Sequence, residues 1–142
     1  MTQDLMSDWA AALPHRSGVA LDEAAARLQA AGVSPDMVAS VLADLGEGLW
    51  HVPVNGTSTA QPLDDPHVLI VVLTELAAFL SAAVERTAQV RRRTLGQLAA
   101  QRSLSEIARQ LGVSPQAVHK SLRSKPDPTA LRPLVAQRSE ES

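Results

Sequence analysis

The sequence has no cysteine, no tyrosine and a single phenylalanine among its 142 residues. The absence of cysteine excludes disulfide bonds, thiol catalysis and cysteine-based zinc sites. Aromatic residues make up only 2% of a chain that is 45% hydrophobic, so its core must be built from alanine, leucine and valine. Cores rich in alanine and leucine favour helices. The composition therefore predicts a folded, mainly α protein.

Recognisable catalytic and metal-binding patterns are also missing. The four histidines are isolated and lack the spacing of metal ligands: His15, His51, His67 and His119. The sequence contains no phosphate-binding glycine loop, nucleophile elbow or paired-carboxylate motif. We therefore expect a protein that is not an enzyme and that carries neither a metal nor a cofactor.

Lysine is scarce, and the start of the chain does not resemble an export signal. Lys120 and Lys125 are the only lysines beside abundant arginine and alanine, a bias typical of GC-rich bacteria. The first residues, MTQDLMSDW, carry acids where a signal peptide would carry lysine or arginine. Together with the lack of cysteine, this predicts a bacterial protein located in the cytoplasm.

Charge is divided unevenly along the chain. Up to residue 80 there are two basic residues, Arg16 and Arg27, and ten acidic ones, a formal charge of −8. Between residues 86 and 125 there are nine basic residues and one acidic residue, Glu106, a formal charge of +8. A basic segment next to an acidic one is typical of a polyanion-binding module joined to a domain that does not bind the polyanion.

The acidic half has the element order of a winged helix. Gly32 ends one helical pattern, Ser34 is placed to cap the next helix, and Pro35 fits its first position. Apolar residues up to Leu45 are spaced for burial, and LWHVPV at 49–54 then predicts a short strand. Asn55 and Gly56 follow as the residues of a hairpin turn. We interpret 1–56 as an acidic, winged-helix-like domain.

A long apolar helix is predicted over 67–93, where no glycine or proline occurs. Seven positions that alternate by four and three, all but Thr87 apolar, predict a seam for another helix: Leu69, Leu73, Leu76, Leu80, Ala83, Thr87 and Val90. The segment approaches the length of a membrane span. Glu75 near its centre and Pro66 at its start argue against a span. We expect the helix to be covered partly by the N-terminal domain and partly by a second subunit, giving a homodimer that does not enter a membrane.

The stretch LSEIARQLGVSPQAVHKSLR at 104–123 carries a specific pattern. Ala108 is small enough for two helices to cross closely, and Gly112 permits the backbone conformation of a tight turn. Ser103 and Glu106 fit a capping box. The remaining apolar residues are predicted to close the core: Ile107, Leu111, Val113, Val118 and Leu122. Its part GVSPQAVHKSL also repeats the pattern of GVSPDMVASVL at 32–42.

This segment resembles the helix-turn-helix of phage Cro and repressor proteins and of many bacterial regulators. The resemblance covers about twenty residues and implies that the second helix enters the major groove of DNA. It assigns recognition to the polar face of that helix and to the residue that caps it: Ser114, Gln116, His119, Lys120 and Arg123. Four arginines on the approach are expected phosphate contacts: Arg91, Arg92, Arg93 and Arg102. The earlier repeat has Asp36, Ala39, Ser40 and Asp44 instead of donors, so we expect it to serve packing, dimerisation or a protein partner.

The predicted organisation has five segments: the domain 1–56, a linker 57–66, a dimerisation helix 67–93, a helix-turn-helix domain 94–125 and a flexible tail 126–142. The function predicted from them is that of a sequence-specific regulator of transcription that binds double-stranded DNA as a homodimer on a two-fold operator. Two alternatives stay open. One is an interaction protein whose acidic domain binds a protein partner and whose contact with nucleic acid is weak and unspecific, and the other is a membrane-tethered regulator.

Overall fold

The computed structural model describes residues 2–50 and 63–135, which are mainly helical and contain no strand. The described residues form six α-helices: α1 Thr2–Ala12, α2 Gly18–Ala30, α3 Pro35–Ala43, α4 Pro66–Ala99, α5 Leu104–Leu111 and α6 Pro115–Arg123. Two short 3-10 helices add Glu47–Leu49 and Pro128–Leu131. The predicted mainly α class is therefore confirmed.

The described residues divide into two compact units. The N-terminal unit comprises residues 2–81 and 133–135, and the C-terminal unit comprises residues 82–132. Helix α4 supplies residues to both units. The two units are described separately below.

The core of the N-terminal unit is formed by α1, α2, α3 and the first part of α4. Trp9, Leu13 and Leu28 are at most 1% exposed, as are Val38 and Val72. Ser34 caps α3 as predicted, because its Oγ accepts a hydrogen bond from the backbone N–H of Met37 at 3.3 Å. The cap and Pro35 set the start of α3, whose apolar residues then face α1.

The chain after α3 differs from the prediction. Leu49 ends a 3-10 helix and Trp50 continues in a turn, so the predicted strand does not begin at Leu49. The carboxylate of Asp44 accepts hydrogen bonds from the backbone N–H groups of Gly46 and Gly48, and these bonds bend the chain into helical turns. The remainder of the predicted strand and hairpin, residues 51–56, lies outside the described residues.

Leu45, predicted to be buried, is 59% exposed and has a φ of 59°. Its N–H bonds to the carbonyl of Leu42 and the next N–H, of Gly46, bonds to the carbonyl of Val41. The chain therefore reverses at the end of α3, and the reversal carries the Leu45 side chain away from the apolar face of the helix.

Gly46 lies at a position where both the backbone conformation and the packing of Leu76 favour glycine over any other residue. Its φ is 77°, and a Cβ added to it would meet Cδ2 of Leu76. Gly32 has a similar φ of 81° but has open space around it. We expect Gly32→Ala to cost about 1–2 kcal/mol of stability from the backbone alone. Gly46→Ala should cost clearly more in urea unfolding, because Leu76 must also move. Equal losses for the two variants would contradict the packing role.

Helix α4 runs for 34 residues and continues past the predicted end at residue 93. It is long and apolar enough to cross a membrane, with a mean hydropathy of 2.1 over 18 residues, but the core helices of soluble proteins meet the same criterion. Leu69 and Leu76 of the predicted seam are 8% exposed and belong to the core of the N-terminal unit. Leu80 and Val90 are 38% and 51% exposed. Leu76 is thus not available to a second subunit.

The C-terminal unit has a small core made by the end of α4 together with α5 and α6. Leu95, Ile107, Ala108 and Val118 are at most 3% exposed, and a ring of half-buried residues packs around them: Leu98, Ala99, Leu104 and Leu122. The prediction that Leu111 and Val113 also close this core is wrong, because they are 44% and 41% exposed. Both flank the turn at Gly112 and lie at the edge of the core.

Candidate nucleic-acid interface

Helices α5 and α6 are joined by a three-residue turn that local hydrogen bonds define. Ser103 Oγ accepts from the N–H of Glu106 at 3.2 Å, and Ser114 Oγ accepts from the N–H of Ala117 at 3.1 Å. Gly112 has a φ of 70°, and the next N–H, of Val113, bonds to the carbonyl of Ala108 at 3.0 Å. Both predicted serine caps are therefore present, and each fixes the start of a helix.

The outer face of α6 is polar and exposed. Val118 is fully buried and anchors the inner face, which leaves four predicted site residues in contact with solvent: Gln116, His119, Lys120 and Arg123. These four line one open groove of about 670 Å³. Ala88 and Arg91 of α4 form its other side. The structure therefore brings five of the predicted residues together in one place.

The arginines of α4 have different surroundings. Arg91 lines the groove, and its Nη1 donates to Oγ of Ser121 at 3.0 Å. Arg92 is half-buried, and its Nε donates to the carbonyl of Ser124 at 2.6 Å. Arg92 therefore holds the carboxyl end of α6, where a helix dipole favours a cation. Arg93, and Arg102 beyond the end of α4, are exposed and are not among the residues that line the groove.

Ser114 serves as a cap, but it is also exposed at the start of α6. Its hydroxyl accepts a hydrogen bond from the helix and keeps its own hydrogen available for a ligand. Ser114 does not line the groove. It lies beside the groove, at the N-terminal end of the polar face of α6.

Gln89 does not line the groove, but it supports the chain behind it in a way that the sequence did not indicate. It is 7% exposed, its Nε2 donates to the carbonyl of Lys125 at 3.2 Å, and its Oε1 accepts from the N–H of Asp127 at 3.0 Å. Gln89 and Arg92 together attach the chain that follows α6 to α4. These bonds join residues more than thirty positions apart, so no local pattern could have indicated them.

The groove is suited to an anion. Arg91, Lys120 and Arg123 carry positive charge at neutral pH, and His119 adds a further donor. None of the eight described residues that line the groove is acidic. Extended polyanions bind to such surfaces by releasing their own counterions.

The sequence repeat pairs α3 of the N-terminal unit with α6, but the exposed side chains of the two helices differ in charge and hydrogen-bonding capacity. Helix α3 presents Asp36, Ala39 and Ser40 on its exposed side, where α6 presents Gln116, His119 and Lys120. The exposed acid Asp36 would repel a phosphate, Ala39 has no polar group, and only the Ser40 hydroxyl could donate a hydrogen bond to one. Within residues 2–50 and 63–135, no three histidine, aspartate or glutamate side chains are grouped as a metal would require.

Comparison with known proteins finds no matching family model, no matching curated protein and no matching solved structure.

Proposed function

We propose that this protein is a sequence-specific DNA-binding regulator of transcription in which α5 and α6 form a helix-turn-helix. The observation that carries the proposal is the basic groove, where four donor side chains of α6 and Arg91 of α4 are gathered without an acidic residue. An exposed helix of this kind fits the major groove of DNA.

Two kinds of contact are proposed for the groove. Gln116 lies in the first turn of α6, and its amide can pair with the donor and the acceptor of adenine together. Arg91 is proposed to hold a phosphate of the DNA backbone beside that helix, and Lys120 and Arg123 are proposed to hold phosphate or contact guanine. Base contacts would provide the specificity and phosphate contacts most of the affinity.

The test of this function is a selection of bound sequences from a random DNA pool. We expect an enriched motif with two-fold symmetry, since a dimer presents two recognition helices. The alternative, an interaction protein with weak and unspecific nucleic-acid contact, predicts no enriched motif. Recovery of an unselected pool would therefore reject sequence-specific regulation.

Salt dependence tests the phosphate contact separately. We expect Arg91→Gln to lower the slope of log affinity against log salt by about one, because one fewer counterion is released on binding. Arg27→Gln is the matched control, since Arg27 is an exposed arginine of α2 in the N-terminal unit. An Arg91 variant with the wild-type slope would show that this arginine only supports Ser121.

We assign the N-terminal unit a role in assembly or in binding a protein partner, with the winged-helix-like character remaining part of the proposal. Its segment is acidic, and α3 carries no donors in place of Gln116 and His119. The protein is proposed to act in the cytoplasm, with α4 buried by protein contacts rather than by lipid. Glu75 is consistent with this role, because it is 3% exposed and paired with Arg16 within the unit.

Dimerisation is proposed to use the apolar side chains of α4 that remain exposed. Ile70, Leu80 and Val84 are 60%, 38% and 70% exposed. Leu80→Glu should give a folded monomer by light scattering where the wild type gives a dimer. Val19→Glu is the control, because Val19 is 72% exposed on α2 and should leave the mass unchanged. Leu76→Glu should instead unfold the N-terminal unit. A wild-type monomer at high micromolar concentration would reject the dimer.

A further inference from the structure

The helix pair α2–α3 repeats the local geometry of α5–α6. Gly32 and Gly112 have φ values of 81° and 70°, and the N–H that follows each bonds to a carbonyl of the preceding helix at 3.0 Å. Ser34 and Ser114 both cap helices that begin at a proline and run for nine residues. The two helices can therefore be compared position by position, with an offset of 80 residues.

An apolar cleft lies beside α3 at the positions where α6 lines the basic groove. Ala39 and Ala43 of α3 correspond to His119 and Arg123 of α6. Both alanines line a cleft of about 410 Å³, which Ala11 and Ala12 of α1 and Phe79 of α4 also line. The short alanine side chains leave the space that longer side chains would fill. The cleft has the volume of a small-molecule site, for which about 300 to 1,000 Å³ is usual.

The chemistry of the lining decides what the cleft can hold. None of the ten described residues that line it has a charged or hydrogen-bonding side chain. A charged ligand would lose its hydration there without gaining a partner, and so would the backbone groups of an extended peptide. The surrounding segment also has a formal charge of −8, which opposes anions. An uncharged, apolar small molecule meets none of these costs, and the volume of the cleft suits one.

Leu45 is an exposed apolar residue at the edge of the cleft, which it also lines. Its φ of 59° is unusual for leucine, and 59% of its surface remains exposed. Burial of its side chain therefore does not compensate the unfavourable backbone. A ligand in the cleft would cover the Leu45 side chain.

We infer that the N-terminal unit binds an uncharged, apolar small molecule in the cleft between α1, α3 and Phe79. This site is separate from the basic groove, and the inference does not rest on the proposed binding of DNA. The acidic half of the chain would then have a ligand-binding role, which the acidic and small residues on the exposed face of α3 do not suggest by themselves.

The test uses the full chain and N-phenyl-1-naphthylamine, an uncharged fluorescent probe whose emission rises in apolar surroundings. We expect saturable binding of one probe per chain. Ala39→Phe should weaken it at least tenfold, because the ring fills the cleft from an exposed position. Ser40→Phe is the matched control on the next residue of α3, also exposed but not lining the cleft, and should stay within twofold of the wild type.

Three results would overturn the inference. The first is probe binding that does not saturate, and the second is wild-type affinity in both Ala39→Phe and Ala43→Phe while each variant melts as the wild type does. The third is binding that appears only when residues 136–142 are removed or the protein is diluted, which would show that the chain itself or a second copy covers the cleft. If Ala39→Phe fails to fold, Ala43→Phe provides the same test from the next turn of α3.

Discussion

Glu75→Ala is expected to destabilise the N-terminal unit by about 3 kcal/mol, because removing one member of a buried ion pair leaves its partners poorly solvated. Glu75 is 3% exposed, and its Oε1 lies 2.6 Å from Nε2 of His15 and 2.7 Å from Nε of Arg16. Arg16 also donates from Nη2 to Oε2 at 3.3 Å. Arg16 keeps a quarter of its side chain in water, so we expect a loss at the lower end of the usual range.

The same carboxylate should make stability depend on pH. Burial alone would raise the pKa of Glu75, but hydrogen bonds from His15 and Arg16, together with their charge, lower that pKa to about 2. In the unfolded chain the pKa is near 4.5. A lowered pKa in the folded state means that the stabilisation is complete above about pH 4.5 and is lost as the pH falls towards 2. Near pH 2 the side chain of Glu75 becomes a neutral carboxylic acid, which has the same charge and nearly the same shape as the amide of a glutamine at this position.

Urea unfolding of the wild type and of Glu75→Gln across this pH range measures the effect. The difference in free energy of unfolding should be on the order of 3 kcal/mol at pH 7 and should shrink as Glu75 becomes protonated. Glu23→Gln is the control, because Glu23 is an exposed acid of α2 and should show a small, constant difference. A Glu75→Gln difference that does not change with pH would show that the ion pair is not the source of the stability.

Local features of this fold could be predicted from the sequence. The serine caps at Ser34 and Ser114 each involve residues three positions apart, and the turns at Gly32 and Gly112 each depend on one glycine. The repeat at 32–42 and 112–122 therefore predicts a repeated local geometry, which these turns and caps have. The exposed face of α6 followed from helical spacing, because Val118 fixes which side is buried.

Features that depend on distant residues could not be predicted. His15 and Glu75 are sixty positions apart, and Gln89 binds the chain more than thirty positions later. Leu76 has the spacing of an inter-subunit seam, but the N-terminal unit buries it. A periodic pattern indicates that a side chain is buried without indicating what covers it. For the same reason, the different environments of Arg91 and Arg92 were not visible in a run of three arginines.

Gln116→Ala should weaken binding to the cognate DNA site by about 1–3 kcal/mol and relax the preference at one base pair of each half-site. The amide of Gln116 is exposed in the first turn of α6, where Ser114 and Pro115 fix the backbone, so the substitution should not disturb the fold. Non-specific affinity should change little, because phosphate contacts supply most of it.

Gln110→Ala is the matched control for this experiment, since Gln110 is an exposed glutamine of α5 that does not line the groove. Affinity for the selected site and for an unrelated duplex should be measured at one salt concentration for the wild type and both variants. We expect the ratio of the two affinities to fall only in Gln116→Ala. If Gln116→Ala remains folded and keeps the wild-type ratio, the first turn of α6 does not contact a base, and recognition by this helix would have to be assigned to His119, Lys120 or Arg123 or abandoned.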